Sequence, residues 1–433
     1  MPLFLYRFLI ILCTPFIWLH IARRTHAGKE DPTRVSERYG IPSSPLPLQK
    51  EENIRPLWIH AASVGEATTA LTIATLAHDI DPTLPILITT GTVTSADLIA
   101  KRLPHNTIHQ YAPYDHPLWV NRFLDRWAPR ATIRIESELW PNMCRALTQR
   151  HIPTMLLNAH LSNRSFQRWR LFPRTTRQIL AAFTHIFADG IDNAARYISL
   201  GAKYVTPLPS LKFIAPPLPV HIPTQIDFIT AIKNRPVWIY ASTHADEEIL
   251  AARVHADLKQ KFPNILTLIA LRHPNRAASV MKFLSVLPFK TEQRSTAHVP
   301  RPDTDLYIID TIGELGVFFA SVPVAMIGRS FSIDGGGGHN PIEPALFGCL
   351  PLSGPAIQNL TTIYNPMLAA GVVDIVQTPN ALSAHIAHLL ENPIPTKARG
   401  ESARAFISAQ QDTLKSTLRQ AITDILKSCI TNG

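Results

Sequence analysis

Three carboxylates in this chain stand three residues after a small polar side chain: Glu66 after Ser63 in WIHAASVGEA, Glu314 after Thr311 in DTIGEL, and Glu343 after Asn340 in HNPIEPA. The spacing fits a capping box, or its Asn variant, in which the carboxylate of the third helical residue returns to the N-cap amide. It equally sets a carboxylate at a helix start, where it can contact a ligand or take a proton from one. Spacing alone leaves both readings open. Arg272, in LRHP, suits a phosphate. The four glycines 335–338, followed by His339-Asn340-Pro341, allow backbone to come close to a ligand, and the helix opened there would offer free amides to an anion. No GKS or GKT makes a Walker loop, and no GxGxxG follows the first strand. His60 and His273 read by themselves as packed or hydrogen-bonded, and no HExxH or comparable pair suggests a metal.

Elements must present these groups. Leu57–Ala62, Pro85–Thr90, Ala131–Ile135 and Thr154–Asn158 read as buried strands, with helices over Ala67–His78, Ser95–Leu103 and Leu118–Trp127 between them. After Ile214–Thr224, with four prolines in eleven residues, the rhythm resumes in Val237–Ala241, Ile265–Leu271, Leu306–Asp310 and Val324–Gly328, with a helix over Glu247–Lys261. Such alternation implies α/β domains with parallel sheets covered on both faces, joined here by a semi-rigid linker. Ligands of such sheets gather at the carboxyl ends of strands. The candidate groups lie there: Ser242, Thr243 and His244 after one strand, Arg272 and His273 after another, Thr311 to Leu315 after a third, and Gly328 onward after a fourth.

At 433 residues with 46% hydrophobic content, the chain exceeds what one core supports, and two domains are expected. The net charge of +10 favours an anionic partner without choosing among nucleic acid, a phosphorylated small molecule and a membrane surface. Cys13, Cys144, Cys349 and Cys429 show no spacing that suggests disulfides or zinc, so a reducing compartment fits. Leu3–Ala22 is almost wholly apolar, interrupted by Arg7 and Pro15 and followed by Arg23, Arg24 and Lys29. Its length is about that which crosses a bilayer, and the basic residues after it would hold the remainder on the cytoplasmic side. A membrane anchor is therefore expected over residues 1–24, spanning the bilayer or lying in its interface, with GKEDPTRVSERYG as a short charged connector.

WIHAASVGEA, ESELWPN (Glu136–Asn142), LNAHLSNRS (Leu157–Ser165), YASTHADEE, LRHP, DTIGELG and GGHNPIEPA, in this order, resemble the motif series of the bacterial 3-deoxy-D-manno-octulosonic acid (Kdo) transferases, membrane-associated GT-B glycosyltransferases of lipopolysaccharide synthesis. The resemblance covers nearly the whole chain. It implies two Rossmann-like domains facing a cleft: 25–213 for the acceptor, 214–224 as linker, and 225–433 for the nucleotide sugar. The implied reaction moves Kdo from CMP-Kdo to the 6′-hydroxyl of an anionic lipid A precursor, with inversion, at the cytoplasmic leaflet of the inner membrane. No metal, further cofactor or nucleic-acid partner is implied. By the same resemblance Glu66 is the base, and Glu136 or Glu138 with Lys212 steady the transition state. Ser242, Thr243, Arg272, His273, Ile312, Gly313, Glu314, Leu315, Gly338, Asn340, Pro341, Ile342 and Glu343 fall in the CMP-binding stretches. The chain departs from the family pattern at Pro209-Ser210-Leu211-Lys212, usually Gly-Asn-Leu-Lys, and at Arg329, usually glycine.

Overall fold

The computed structural model describes residues 2–43, 55–136, 138–332 and 337–428. The apolar runs become strands because each is covered from both faces. In the first unit these are β1 (Leu57–Ala61), β2 (Ile86–Thr90), β3 (Thr107–Tyr111), β4 (Ala131–Ile135), β5 (Thr154–Ala159), β6 (His185–Asp189) and β7 (Val205–Leu208). In the second they are β8 (Val237–Thr243), β9 (Leu266–Leu271), β10 (Thr291–Gln293), β11 (Leu306–Ile309), β12 (Val324–Ile327), β13 (Leu350–Ser353) and β14 (Asp374–Ile375). Every pairing is parallel. The eight strands legible in the sequence are all present. The others are short, polar or at an edge: TIHQY of β3 carries polar side chains, and β7 contains Pro207, which an edge strand tolerates.

The strand orders are β3-β2-β1-β4-β5-β6-β7 and β10-β11-β9-β8-β12-β13-β14. Each has one point where the chain, having built outward in one direction, starts again on the other side: between β1 and β4, and between β8 and β12. At such a switch point adjacent loops diverge at the carboxyl edge and leave room for a ligand.

The compact units are Met1–Ala215 with Asp412–Gly433, and Pro216–Gln411. The expected second domain, 225–433, thus differs at its end. Within the long helix Pro393–Lys427, Leu414, Leu418, Ile422 and Ile425 are buried at helical spacing, and this stripe belongs with the first unit, where Arg419 also pairs with Asp79 at 2.9 Å. The proline-rich linker is shorter than expected, because Ile222–Ile232 is already helical with Pro223 in its first turn, where a missing N–H costs nothing.

The N-terminal segment is not one straight helix. Leu3–Leu12 (α1) and Thr14–His26 (α2) meet at 61°, and among the described residues no single helix is long and apolar enough to cross a membrane. Pro15 supplies no N–H for the Ile11 carbonyl, and the Thr14 hydroxyl donates to it instead at 2.6 Å. The charged connector is also not a free linker. Glu30, Glu37 and Arg38 are buried; Arg38 bonds to Glu30 and to the carbonyls of Gly91 and Ala112, while Glu37 accepts the Tyr111 N–H at 2.7 Å. The stretch clamps the carboxyl ends of β2 and β3. Cys144 and Cys349 are buried free thiols and Cys13 an exposed one; Cys429 lies outside the described residues.

Candidate active site

In the first unit the chain leaves β1 through Ser63, which caps α3 (Val64–Ile80) by accepting the Glu66 N–H at 3.3 Å. The Glu66 carboxylate turns back and accepts the Ala62 N–H on Oε2 at 2.8 Å, one residue earlier than in the usual capping box. Capping is therefore real here. It uses one oxygen, however, and Oε1 takes no hydrogen bond from the described residues.

Across the switch point, the chain after β4 carries Glu136 and Glu138, which meet different surroundings. Glu138 is held by a buried cationic group. His60 lies between Thr89 Oγ1 at 2.8 Å and Glu138 Oε2 at 3.2 Å, and Arg134 donates through Nε to the Glu138 carbonyl at 3.0 Å. The Arg134 guanidinium packs against the Trp140 and Trp58 rings at 5.0 and 5.7 Å. Burial works against the Glu138 charge, but the His60 bond and the nearby positive charges outweigh it and lower its pKa. Glu136 is in the left-handed region at φ 64°, fixed by its N–H donating to Leu157 O at 2.8 Å. Burial first, and then the charge of Glu66, push its pKa up to about 7, with Asp189 and Glu138 adding and Lys212 opposing. A strained residue with a suppressed charge beside a second carboxylate marks a functional position. Ser137 lies outside the described residues.

Lys212 is exposed on the short helix Leu211–Ile214, which is tied to the LNAHLSNRS loop by the Leu211 N–H donating to Asn158 Oδ1 at 3.4 Å. Ser210 is buried at the start of that turn. Asn142 of ESELWPN works structurally, bonding through its backbone and side chain to Asp115. A cavity of about 750 Å³ opens beside this cluster, lined by His60 and Ala62, by the basic Arg24 and Arg38, and by the rings of Tyr6 and Trp169.

In the second unit, the loops after β8, β9 and β12 bring together most of the expected groups. Gly328 is required there: a Cβ would stand 2.2 Å from the Ser242 carbonyl oxygen, and its N–H donates to Ala241 O at 2.8 Å. Ser242 itself is left-handed at φ 61°, Thr243 donates to Glu248 at 2.8 Å, and the Arg272 N–H donates to Thr243 O at 3.1 Å. Two histidines that the family resemblance does not assign to CMP binding join them. His244 and His339 meet Nε2 to Nε2 at 2.9 Å, so one ring donates to the other, and His273 stands edge-on to His244 at 5.7 Å. Burial, and then the positive charges around it, lower the His339 pKa to about 4. Glu247 aligns the two loops by accepting the N–H groups of His244 at 2.9 Å and Arg329 at 2.6 Å. The position of His244, directly after a strand in ASTH, was the available signal.

Of the three capping boxes that the spacing allows, those of Glu314 and Glu343 do not form. Glu314 precedes the helix Leu315–Phe319 as its N-cap; its carboxylate accepts from Arg294 at 3.0 Å and from the Thr311 hydroxyl. Beside it Gly313 is left-handed at φ 87° and Ile312 is 86% exposed, an apolar ledge at the end of β11. Asn340 makes a turn of its own, accepting the Ile342 N–H at 3.1 Å, and the helix that follows Pro341 has only four residues, Ile342–Ala345. Glu343 is freed from capping; burial raises its pKa while Arg272 opposes. Gly338 is buried, with its N–H on Ala356 O at 2.6 Å, whereas Gly335 and Gly336 lie outside the described residues.

Comparison with known proteins gives this arrangement a family. The model for 3-Deoxy-D-manno-octulosonic-acid transferase (kdotransferase) matches residues 33–215. The 3-deoxy-D-manno-octulosonic acid transferase of Rickettsia bellii (strain RML369-C) is 30% identical over 417 residues, covering 96% of this chain and 98% of its own. Among solved structures, UDP-GlcNAc 2-epimerase from Neisseria meningitidis bound to UDP-GlcNAc is similar with TM-score 0.55 and 13% identity, over 86% of this chain and 100% of that one. A glycosyltransferase from Rickettsia africae ESF-5 also gives TM-score 0.55 and 13% identity, over 88% and 100%. The two parallel sheets are thus those of the GT-B architecture, which an epimerase and a glycosyltransferase share, so the fold leaves the reaction open. Near-full-length identity closes that gap: the chain belongs to the 3-deoxy-D-manno-octulosonic acid transferase family.

Proposed function

We propose that this protein transfers Kdo from CMP-Kdo to the 6′-hydroxyl of a lipid A precursor, lipid IVA, at the cytoplasmic leaflet of a bacterial inner membrane, with inversion and no cofactor beyond the donor. The observation that carries the reading is Glu66 at the first switch point, with Oε2 bound to the Ala62 amide and Oε1 outside the cap, beside a Glu136 of suppressed charge. In this reaction Glu66 takes the proton of the acceptor hydroxyl as that oxygen bonds to the anomeric carbon. The bond from that carbon to the CMP phosphate breaks, and CMP leaves with the electron pair. Glu136 and Lys212 act on the charge that develops at the sugar, and Glu138 holds His60 and Arg134 in position. The second unit meets the donor's anionic groups with Arg272, His273 and the His244–His339 pair, and with the backbone amides of the loops after β8, β9 and β12. An anionic amphiphile suits a cavity whose lining includes Arg24 and Arg38 together with the rings of Tyr6, Tyr114, Trp140 and Trp169.

The test is incubation with CMP-Kdo and a tetra-acylated lipid A precursor, followed by mass analysis of the lipid. A product heavier by one or more Kdo residues is expected, and absence of product from folded protein refutes the reading. CMP should also raise the melting temperature more than UMP or AMP does. Equal protection by all three, or stronger protection by UMP, points to another nucleotide sugar.

A further inference from the structure

Arg38 belongs to the short turn Val35–Tyr39, well before the first strand, yet it is only 4% exposed. Its guanidinium spends every N–H inside the first unit. Nε donates to Glu30 Oε2 at 2.8 Å; one terminal nitrogen donates to the carbonyls of Ala112 at 3.1 Å and Thr90 at 3.5 Å; the other meets Gly91 O and Glu30 Oε2, each at 2.7 Å. Arg24 takes the remaining Glu30 oxygen at 2.7 Å, which stops that carboxylate from turning away. A cation so fully used is not free to recruit a substrate anion. What it holds is backbone.

Two of the carbonyls it grips, those of Thr90 and Gly91, flank the first peptide past the end of β2. The β1–β2 pairing runs as far as Ala61 and Thr90, and one more rung follows, with the Gly91 N–H donating to Ala62 O at 3.3 Å. Glycine is required for that rung, because a Cβ there would stand 2.8 Å from the Ala62 oxygen and 3.4 Å from its Cα. Ala62 in turn donates its own N–H to Glu66 Oε2 at 2.8 Å. Guanidinium, Gly91, Ala62 and the Glu66 carboxylate are thus linked by successive hydrogen bonds. Residues 62 and 91 lie beyond the ends of their strands, so the grip of Arg38 substitutes for the ladder that has stopped.

We infer that Arg38 is a positioning residue for Glu66, acting through the peptides of Gly91 and Ala62 to fix where the carboxylate stands. It touches no reacting atom. A base displaced by a fraction of an ångström loses rate while the substrates still bind, so the effect belongs in kcat and not in KM. The inference rests on the proposed role of Glu66 as the base.

Arg38→Lys keeps the charge beside Glu30, but a single nitrogen cannot reproduce the planar fork that reaches Glu30, Ala112 and Gly91 together. In Kdo transfer with detergent-dispersed acceptor its kcat should fall at least about tenfold, with both KM values within about twofold of wild type and an unchanged CMP-dependent rise in melting temperature. Gly91→Ala disturbs the same chain from the other side and should give the same split, which keeps the test alive if Arg38→Lys does not fold. The deciding measurement is a double-mutant cycle with Glu66→Gln. Once the base is gone its placement no longer matters, so either substitution should lower the residual turnover of Glu66→Gln by less than about twofold. A full tenfold loss in that background means that Arg38 acts by another route and overturns the inference. A raised acceptor KM with wild-type kcat makes Arg38 a binding residue and overturns it as well, as does wild-type kcat in the folded single variants. Near-normal turnover of Glu66→Gln alone removes the proposed base and this inference with it, whereas an inactive Glu66→Gln with additive losses removes this inference only.

Discussion

Glu66 joins two roles that substitution separates. Glutamine accepts the Ala62 N–H as glutamate does, so Glu66→Gln should keep its melting temperature and CMP response while turnover falls by at least about 100-fold. Near-normal turnover of that variant would show the carboxylate to be a cap only. Ser63→Ala should cost about 1 kcal/mol of stability, seen in denaturant melts, and leave most of the turnover. Glu136 gives a pH-dependent counterpart. Its pKa rises from 4.5 to about 7 on folding, so the folded chain holds the proton more tightly than the unfolded one. Its stabilising contribution is therefore complete below pH 4.5 and is lost as the pH climbs through 7. Glu136→Gln should melt with the wild type near pH 4.5 and above it at alkaline pH, with lower turnover throughout; a variant less stable at alkaline pH contradicts the buried-charge account.

At the level of elements, both candidate sites follow from parallel strands ending on one edge. Loops from neighbouring strands can then share one hydrogen-bond network, as those after β8 and β12 do through Glu247. Gly328 sets how closely these loops approach. In Gly328→Ala the new methyl would stand 2.2 Å from a backbone oxygen, which cannot move without shifting β8. Several kcal/mol of destabilisation and a weakened CMP-dependent rise in melting temperature are expected, and an unchanged melt would mean that the loops yield easily. The same edge explains the missed capping boxes: Glu314 and Glu343 are drawn from helix starts by Arg294 and by burial near Arg272.

At the scale of the whole chain, the final helix closes the first unit although its residues come last. A fragment of residues 216–411 should therefore remain soluble and respond to CMP. A fragment of 225–433 should expose Leu414, Leu418, Ile422 and Ile425 and aggregate, because that stripe then has nothing to cover it. Light scattering distinguishes the two, and equally soluble fragments would refute the division.

The sequence by itself determined the parallel-sheet class, eight of the strands, the carboxyl-edge location of the site motifs and, through the ordered motif series, the family. These depend on local periodicity and on short stretches whose residue types carry their own chemistry. Tertiary structure alone decided which glutamate of ESELWPN is neutralised by partners and which stays strained and proton-rich. Arg134 and His60 reach Glu138, whereas Glu136 meets Glu66 across the switch point. It alone decided the His244–His339 contact, 95 residues apart in the chain. It also bent the apolar N-terminal segment, whose length suggested a span, because Tyr6 and Thr14 found partners at Asp115 and His116. Periodicity reports which side of an element is covered; what covers it, and with what charge, depends on segments distant in sequence.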